Sequence, residues 1–253
     1  STIHDRLGAN AAAIQWPIGA EDLFKGHVDL IEMKAYIYDG SKDENFTEAE
    51  IPADMVDICE EKREVLIDTL SQFDDELAMM YLEGEEIPAE MIKEVIRKST
   101  LAVQFFPVFC GSAFKNMGVK KMLNGVIDYL PCPLDIADTK GVTSSGEEVS
   151  VESRDDAPFA ALAFKVVSDP FIGRLTYVRV YRGVLKSGSY VYNSTKGTKE
   201  RIARLVLMHS NHREDIEIVY SGDIAAAVGL KNTTTGDTLC DPDHPVILES
   251  MDF

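Results

Sequence analysis

Four short runs rich in Val, Ile, Tyr and Leu give the strongest constraint on the fold of this chain, because turn-forming residues separate them. Short strands at this spacing, interrupted by Gly, Ser, Asn and Thr, are typical of a small antiparallel barrel. The runs cover residues 176–185, 189–193, 200–208 and 223–229. Between residues 174 and 213 there are nine Lys or Arg and one acid, Glu200, which predicts a basic face on this barrel.

The charge is divided unevenly along the chain. Its 253 residues favour two domains, and the net charge is −18. Residues 1–156 contain 32 acidic and 14 basic residues, whereas residues 157–253 contain 11 of each. We interpret this as an acidic module joined to a module that approaches a different partner. The alternative is that the acidity serves only solubility.

Cysteine usage and hydropathy point to a reducing, cytosolic compartment. The four cysteines form no C-x-x-C pair, and their gaps do not suggest a disulfide framework. We expect no signal peptide from the residues given, and no apolar run among them approaches the roughly 18 residues that a membrane span needs. The chain begins with Ser1 and no Met, so we expect it to be a piece of a longer protein.

Strands and helices alternate in the acidic module. Strands are predicted at residues 11–16, 28–31 and 34–36, and the polar residues 39–50 are predicted to be an exposed loop. Asp74 and Asp75 can cap a second helix, and Pro88 opens a third. The first helix follows Pro52 and carries residues at helical spacing on one face, namely Val56, Cys59, Arg63, Leu66 and Leu70.

A fully apolar strand at residues 105–110 is followed by a loop at residues 111–116. A strongly amphipathic helix comes next, and it is stopped by Pro131 and Pro133. Residues 134–157 are rich in Asp, Thr, Ser and Gly and are predicted to be an exposed connector. The apolar positions of the helix are Val119, Met122, Leu123, Val126, Ile127 and Leu130.

Three segments of the barrel carry sequence signatures, namely YRGVLKSG at residues 181–188, LMHSNHRE at residues 207–214, and GLK with TTGDTL at residues 229–231 and 234–239. The first resembles the turn and second strand of domain two of translational GTPases, and the other two resemble later signatures of bacterial translation elongation factor G, in the right order along the chain. RLGAN at residues 6–10 and VDLI at residues 28–31 resemble a subdomain inserted in the GTPase domain of that family.

The resemblance covers essentially the whole chain and implies an α+β protein. The expected parts are an α/β insert subdomain with a remnant of a P-loop GTPase sheet, then an antiparallel β-barrel of the translation-factor type. Residues 1–134 would end the GTPase domain, with the insert at about 17–105. Residues 135–156 would be a linker, and residues 157–253 would be domain two. The implied parent function is GTP-driven translocation of tRNA and mRNA on the ribosome.

The turn after Cys110 resembles the fifth sequence motif of these GTPases, in which backbone N–H groups contact the guanine O6. The resemblance assigns nucleotide contact to Ser112, Ala113 and Phe114, and small residues let the backbone approach a base closely. An ordinary strand-to-helix turn is the alternative.

The other nucleotide motifs are missing from this sequence. No G-x-x-x-x-G-K-S/T loop is present to hold phosphates, and the nearest spelling, from Gly183 to Gly188, is followed by Ser189 and Tyr190. We therefore expect no catalytic residue and no cofactor for this chain, whereas GTP or GDP and Mg²⁺ belong to the full-length parent. We predict that the chain alone neither binds GTP tightly nor hydrolyses it.

The resemblance also implies a ribosomal partner, with no role for a membrane or DNA. The barrel would face small-subunit ribosomal RNA, whose duplexes are recognised largely through backbone and shape. Arg201 and Arg204 differ in strand parity, so only one of the two is expected on a given face. The alternative for these cations is solvated surface charge. The residues assigned to RNA are Arg182, Lys186, Lys199, Arg201, Arg204 and Arg213.

The acidic insert is expected to contact the ribosomal stalk protein, because acidic side chains steer a basic partner. The alternative is that these acids form the solvent-exposed faces of helices. The acids are Glu60, Glu61, Glu64, Asp68, Glu86, Glu90 and Glu94.

His209 and His212 lack further ligands at suitable spacing, so no metal site is predicted.

Two other identities are weighed against elongation factor G. One is a ribosome-protection or release-factor GTPase, and the other is a free-standing RNA- or protein-binding adaptor.

Overall fold

A computed structural model describes residues 2–169, 173–209 and 212–248. The chain divides into two compact units, residues 1–131 and residues 132–253, which we call the N-terminal and C-terminal units. No helix among the described residues is long and apolar enough to cross a membrane. All four cysteines lie in described segments, and each is a free thiol.

The N-terminal unit combines five α-helices and one short 3₁₀ helix, Glu21–Leu23, with two small sheets among its described residues. The helices are α1 Thr2–Leu7, α2 Val56–Leu70, α3 Asp75–Glu83, α4 Ala89–Leu101 and α5 Val119–Tyr129. The strands are β1 Ala11–Ala13, β2 Gln15–Ile18, β3 Gly26–Asp29, β4 Lys34–Tyr38, β5 Phe46–Ala49 and β6 Phe106–Val108.

One apolar core holds this unit together. Strands β2, β3, β4 and β5 form an antiparallel sheet in chain order, and β1 pairs in parallel with β6. Helices α2, α3 and α4 place apolar faces in the core, that of α2 as predicted, and the side chain of Asp74 caps α3 by accepting the N–H of Leu77. The largest fully buried side chains are Leu30, Leu66, Leu70, Leu77, Ile92, Ile96 and Phe105.

Two predictions for this unit are wrong in detail. Residues 39–50 are not only a loop, because β5 adds an edge strand whose four residues are all exposed. Such a strand is formed by backbone pairing with β4, and apolar patterning does not reveal it. The apolar run at residues 105–110 contains a strand of three residues only, in which Phe106 is 42% exposed.

The amphipathic helix α5 forms where it is predicted, but its apolar face is not buried. The residues that touch the core are Gly125 and Tyr129. Gly125 is required there, because a Cβ would lie 2.0 Å from Cζ of Phe109. Five apolar side chains are between 41% and 75% exposed, and these are Met122, Leu123, Val126, Ile127 and Leu130.

The C-terminal unit is all strand among its described residues. Eight strands form one antiparallel sheet in the order β13-β12-β18-β9-β10-β17-β14-β15. The strands of the unit are β7 Thr139–Thr143, β8 Glu148–Val151, β9 Ala160–Asp169, β10 Gly173–Arg182, β11 Leu185–Lys186, β12 Tyr190–Asn193, β13 Thr198–Arg201, β14 Arg204–His209, β15 His212–Ile216, β16 Ile218–Val219, β17 Ile224–Val228, β18 Thr238–Cys240 and β19 Val246–Leu248.

Connectivity closes this sheet into a barrel. Strands β13 and β14 occupy the first and seventh places, about 29 Å apart in a flat sheet, yet only Ile202 and Ala203 join them. The three Cα–Cα steps from Arg201 to Arg204 span at most about 11 Å, so the sheet must curl until its ends meet. The N–H of Ile202 donates to the carbonyl of Ser189, beside β12, at 2.9 Å, and the N–H of Ala203 donates to the carbonyl of Val228, in β17, at 2.8 Å, so the chain passes from one end of the sheet to the other between these two residues. The antiparallel barrel predicted from turn spacing is therefore confirmed.

A three-stranded sheet in the order β19-β7-β8 packs on the outside of this barrel. Its side chains Val151, Val246 and Leu248 share a buried cluster with Leu162 and Cys240 of the large sheet. The prediction that residues 134–157 are only a connector is wrong for residues 139–151. That hairpin is polar in sequence, and it is fixed by pairing with β19.

Candidate functional site

A tight turn at residues 111–117 precedes α5. The N–H of Ser112 donates to the carbonyl of Met117 at 2.8 Å, and the reverse bond measures 3.0 Å. A Cβ at Gly111 would lie 2.7 Å from the Met117 carbonyl oxygen, so the backbone approaches itself too closely there for a side chain. The Ser112 N–H predicted to reach a base is therefore used inside the turn.

The next two residues of the turn face outward. The N–H groups of Ala113 and Phe114 donate no hydrogen bond to any part of the chain that the structure describes, and the Phe114 side chain is 100% exposed. Beside them lies a pocket of about 200 Å³ bordered by Phe109, Cys110 and Met122. Burial raises the pKa of the Cys110 thiol to about 11, so this thiol stays protonated near neutral pH.

Residues 21–44 hold this turn in place. The carboxylate of Glu44, which is 3% exposed, accepts the N–H of Lys120 at 2.9 and 3.0 Å and so caps α5. Nδ2 of Asn116 donates to the Lys42 carbonyl at 2.7 Å, and Nζ of Lys115 donates to the Asp22 carbonyl at 2.8 Å. Sequence reasoning missed Glu44, because the carboxylate and its helix are 76 residues apart.

An acidic groove of about 570 Å³ lies elsewhere on the N-terminal unit. Its apolar lining includes Ile67 and Tyr81. Arg63 reaches into it and donates to the carbonyls of Leu30 and Ile31 at 2.6 and 2.5 Å, while burial lowers the pKa of its guanidinium. Of the seven predicted acids, Glu60, Glu64 and Glu86 line the groove, and Glu32 and Glu85 join them.

Three of the six predicted RNA-contacting cations are engaged within the protein. Nε of Arg182 donates to the Pro158 carbonyl at 2.8 Å from a partly buried position. Arg204 forms a bidentate pair with Asp215, with contacts of 2.8 to 3.0 Å. Nη2 of Arg213 lies 2.6 Å from Asp169. These guanidinium groups brace the barrel.

The other three cations point into solvent. Lys186, Lys199 and Arg201 are exposed and form no ion pair with any residue in the described ranges. The parity argument for Arg201 and Arg204 is wrong, because the predicted strand at residues 200–208 breaks at Ile202 and places them in different strands.

Glu200 and Asp237 fasten the loop at residues 230–238. Burial by itself would raise the pKa of Glu200, but hydrogen bonds from Thr233 Oγ1 and from the N–H groups of Asn232 and Lys231 more than offset this, so the pKa lies below its usual range. The pKa of Asp237 is lowered in the same manner against burial, by bonds from Thr234, Asn193 and Lys196. The loop signature is therefore a self-contained buried network.

The two histidines lie at the adjoining ends of neighbouring strands. His209 and His212 face each other across β14 and β15, and Ser210 and Asn211 of the same signature lie outside the described residues. Within the described ranges, no group of three or more His, Cys, Asp or Glu could hold a metal ion.

The chain combines a helical unit that carries the turn at residues 111–117 with a closed antiparallel barrel that carries an outer three-stranded sheet. Residues 173–240 match the family model for elongation factor Tu domain 2, which supports a translational GTPase domain of that kind over this segment. The fold of the chain is similar to that of a Thermus thermophilus protein known from a crystal structure. The match covers 96% of this chain with a TM-score of 0.73 and 24% sequence identity. The chain spans 33% of the length of that protein.

Proposed function

We propose that this chain is the docking and scaffold part of a longer translational GTPase of the elongation factor G type, which promotes GTP-dependent movement of tRNA and mRNA. The match of residues 173–240 to elongation factor Tu domain 2 carries the proposal. The similarity to a solved structure about three times as long as this chain supports a place within a larger protein. The expected location is the cytoplasm, where ribosomes work.

Each unit has its own partner in this proposal. The barrel docks on small-subunit ribosomal RNA through its solvent-facing cations Lys186, Lys199 and Arg201, since phosphates attract cations held on a rigid surface. The insert, at residues 17–105, presents the acidic groove to a basic stalk protein. Glu60, Glu64 and the apolar lining of the groove support that role through charge and shape.

The turn at residues 111–117 is the part of the guanine site that this chain would supply. The outward N–H of Ala113 is a donor that fits the guanine O6, and the small pocket beside it fits the edge of a planar base. The described residues include no acidic or histidine cluster for Mg²⁺, and the sequence has no phosphate loop. Hydrolysis of bound GTP would supply the energy for the movement of tRNA and mRNA, while this chain orients the guanine base.

Two titrations of the purified chain test the proposal. Labelled chain should associate with small ribosomal subunits with an affinity that falls steeply as salt rises. A fluorescent GTP analogue should show no micromolar binding, because a base contact without phosphate contacts supplies little affinity. Absence of ribosome binding would overturn the docking role, and micromolar nucleotide binding would contradict the assignment of phosphate recognition to a region outside this sequence.

A further inference from the structure

A polar pocket of about 280 Å³ in the N-terminal unit adjoins the acidic groove at Ile31 and Glu32. Strands β2, β3 and β4 border this pocket on one side, and helices α4 and α5 border it on the other. The ring of Phe109 belongs to its apolar part. Two tyrosines, Tyr36 and Tyr129, also line it, and we call it the tyrosine pocket.

Three deeply buried side chains bring hydrogen-bond donors to the tyrosine pocket. Gln15, Tyr36 and Tyr129 are between 4% and 6% exposed. Oε1 of Gln15 accepts the N–H of Cys110 at 3.2 Å, but its Nε2 donates to no residue in the described ranges, and neither do the two tyrosine hydroxyls. Burial raises the pKa of both tyrosines, that of Tyr129 to about 12, so each hydroxyl keeps its proton near neutral pH. Buried polar groups are normally hydrogen-bonded, so these donors indicate a polar ligand.

One cation of the pocket has no counter-ion among the residues that the structure describes. Nζ of Lys121 lies 3.6 Å from the centroid of the Tyr36 ring, a cation–π contact, and no described carboxylate forms an ion pair with it. Lys121 therefore offers its positive charge to an anionic group in the pocket. The other two lysines of the lining are each paired with a glutamate, Lys34 with Glu48 at 3.8 Å and Lys93 with Glu32 at 2.5 Å.

Carboxylates line the pocket as well. Oδ1 of Asp29 accepts the N–H groups of Ile31 and Glu32 at 2.9 and 3.1 Å, whereas its Oδ2 accepts no hydrogen bond from any described residue. Asp29 is partly buried and forms no ion pair within the described ranges. Asp128 adds a second carboxylate at an exposed position. The pocket therefore combines an unpaired cation with an unpaired, partly buried carboxylate.

We propose that the tyrosine pocket binds a small zwitterion with the chemistry of a free α-amino acid. The ligand carboxylate accepts hydrogen bonds from Lys121 and the buried tyrosine hydroxyls, and the ligand ammonium donates to Oδ2 of Asp29. Charge-assisted bonds of both signs suit a molecule that carries both charges. Pockets for drug-sized ligands begin at about 300 Å³, so a volume slightly below that suits a molecule of amino-acid size. This site goes beyond the proposed function and is independent of ribosome docking.

Isothermal titration calorimetry of the full chain tests the ligand class, with glycine, L-alanine and L-leucine as probes. At least one of them should bind saturably with a Kd of about 1 mM, as expected of a ligand with so few atoms. Acetate and methylammonium each carry only one of the two charges and should bind at least about tenfold more weakly. Acetate that binds as tightly as the amino acids, or no binding of any of the three amino acids, overturns the proposal.

The double substitution Y36F/Y129F removes only the two hydroxyls. Affinity for the amino acid that binds best should fall at least about tenfold, because two hydrogen bonds to a carboxylate are lost. The free energy of unfolding should stay close to that of the wild type, since neither hydroxyl has a partner among the described residues. The control is Y220F, at an exposed position of the C-terminal unit, and it should change neither quantity. Wild-type affinity in Y36F/Y129F would remove the hydroxyls from the site and overturn the assignment.

The two charges of the site are tested one at a time. K121M keeps an unbranched chain over the Tyr36 ring without the ammonium, and D29N keeps an acceptor oxygen for the Asp29 turn without the charge. Each variant should weaken amino-acid binding severalfold. K62M is the matched control, because Nζ of Lys62 also lies over an aromatic ring, 5.4 Å from the centroid of Trp16, and is not part of the pocket. Wild-type affinity in D29N, or an equal loss in K62M and K121M, would contradict the zwitterion site.

Discussion

The loop at residues 230–238 and the turn at residues 111–117 both carry sequence signatures, yet they are built in opposite ways. In the loop, two buried carboxylates, Glu200 and Asp237, accept the amides and hydroxyls around them. The turn is tied by a reciprocal pair of backbone bonds between Ser112 and Met117 and by the Asn116 N–H to the Ala113 carbonyl, and the N–H groups of Ala113 and Phe114 donate no bond to any described residue. The loop is closed on itself, whereas the turn keeps two exposed donors.

The difference shows that a sequence signature can serve either to stabilise the fold or to contact a partner. The residue types and their spacing in the sequence do not tell which of the two roles applies. A closed segment should lose stability when a signature residue is changed, because the buried partners of that residue are left unsatisfied. In an open segment, a substitution should leave the free energy of unfolding nearly unchanged. Its effect should appear only in the binding of the partner. Substitutions can therefore test the comparison directly.

Among substitutions in the signature segments, the largest effect is expected for Glu200→Ala. Removing this carboxylate leaves the Lys231 and Asn232 N–H groups and the Thr233 hydroxyl without their acceptor in a buried loop. We expect a loss of about 3 kcal/mol in the free energy of unfolding, measured by urea denaturation. Glu214→Ala, at an exposed position of β15, is the control and should change it by less than about 0.5 kcal/mol. Equal losses would mean that the loop is not fastened by Glu200.

The second effect separates two glycines of the signature at residues 181–188. Both have positive φ, +71° at Gly183 and +78° at Gly188. A Cβ at Gly183 would lie 2.6 Å from the Ala157 carbonyl oxygen, whereas at Gly188 it meets open space. Gly188→Ala should therefore cost about 1 kcal/mol for conformation alone, and Gly183→Ala should cost at least about 1–2 kcal/mol more. Thermal unfolding of the two variants measures the difference, and equal melting temperatures would contradict it.

Acid provides the third test. Glu200 and Asp237 have lowered pKa values in the fold, so their contribution to stability is complete above the ordinary pKa values near 4 and is lost as pH falls through the folded values. The free energy of unfolding should decline progressively as pH falls below about 5. The decline should be shallower in Glu200→Gln, which retains one acceptor oxygen but cannot titrate. A wild-type decline that this variant reproduces in full would assign the acid sensitivity to other carboxylates.

Much of the fold could be predicted because its signals are local. The apolar repeat in α2, the cap at Asp74 and the turn residues of the barrel each lie within a few residues of what they determine. Strand β5 and the hairpin at residues 139–151 were missed because they are polar, and apolar patterning does not report a strand that is formed by backbone pairing. The partner of β5 is the preceding strand β4, whereas the hairpin pairs with the distant strand β19, which no local window of sequence contains.

The cationic site was only half predictable for the same reason. The charge count over residues 174–213 found nine cations and one acid, but the partners of Arg204 and Arg213 are Asp215 and Asp169, just outside that window. Hairpin register and sheet order bring these acids into contact, and neither follows from composition. The placement of Arg204 in a different strand from Lys199 and Arg201 also depends on a strand break at Ile202.

The smallest effect concerns α5, whose sequence predicts a buried face that the structure leaves exposed. Leu123 and Ile127 are 51% and 75% exposed, whereas Tyr129 is 6% exposed and packs near Phe109. Ile127→Gln should change the free energy of unfolding by less than about 0.5 kcal/mol, and Tyr129→Ala, as the contrasting variant, should cost about 3 kcal/mol or more. Periodicity reports that a helix has an apolar face, but burial of that face requires a neighbour, and none of the described residues covers it. Urea denaturation measures both variants. A large loss of unfolding free energy in Ile127→Gln would show that the exposed face of α5 is needed for stability, as the buried network of the loop at residues 230–238 is, and would remove the contrast between that loop and α5.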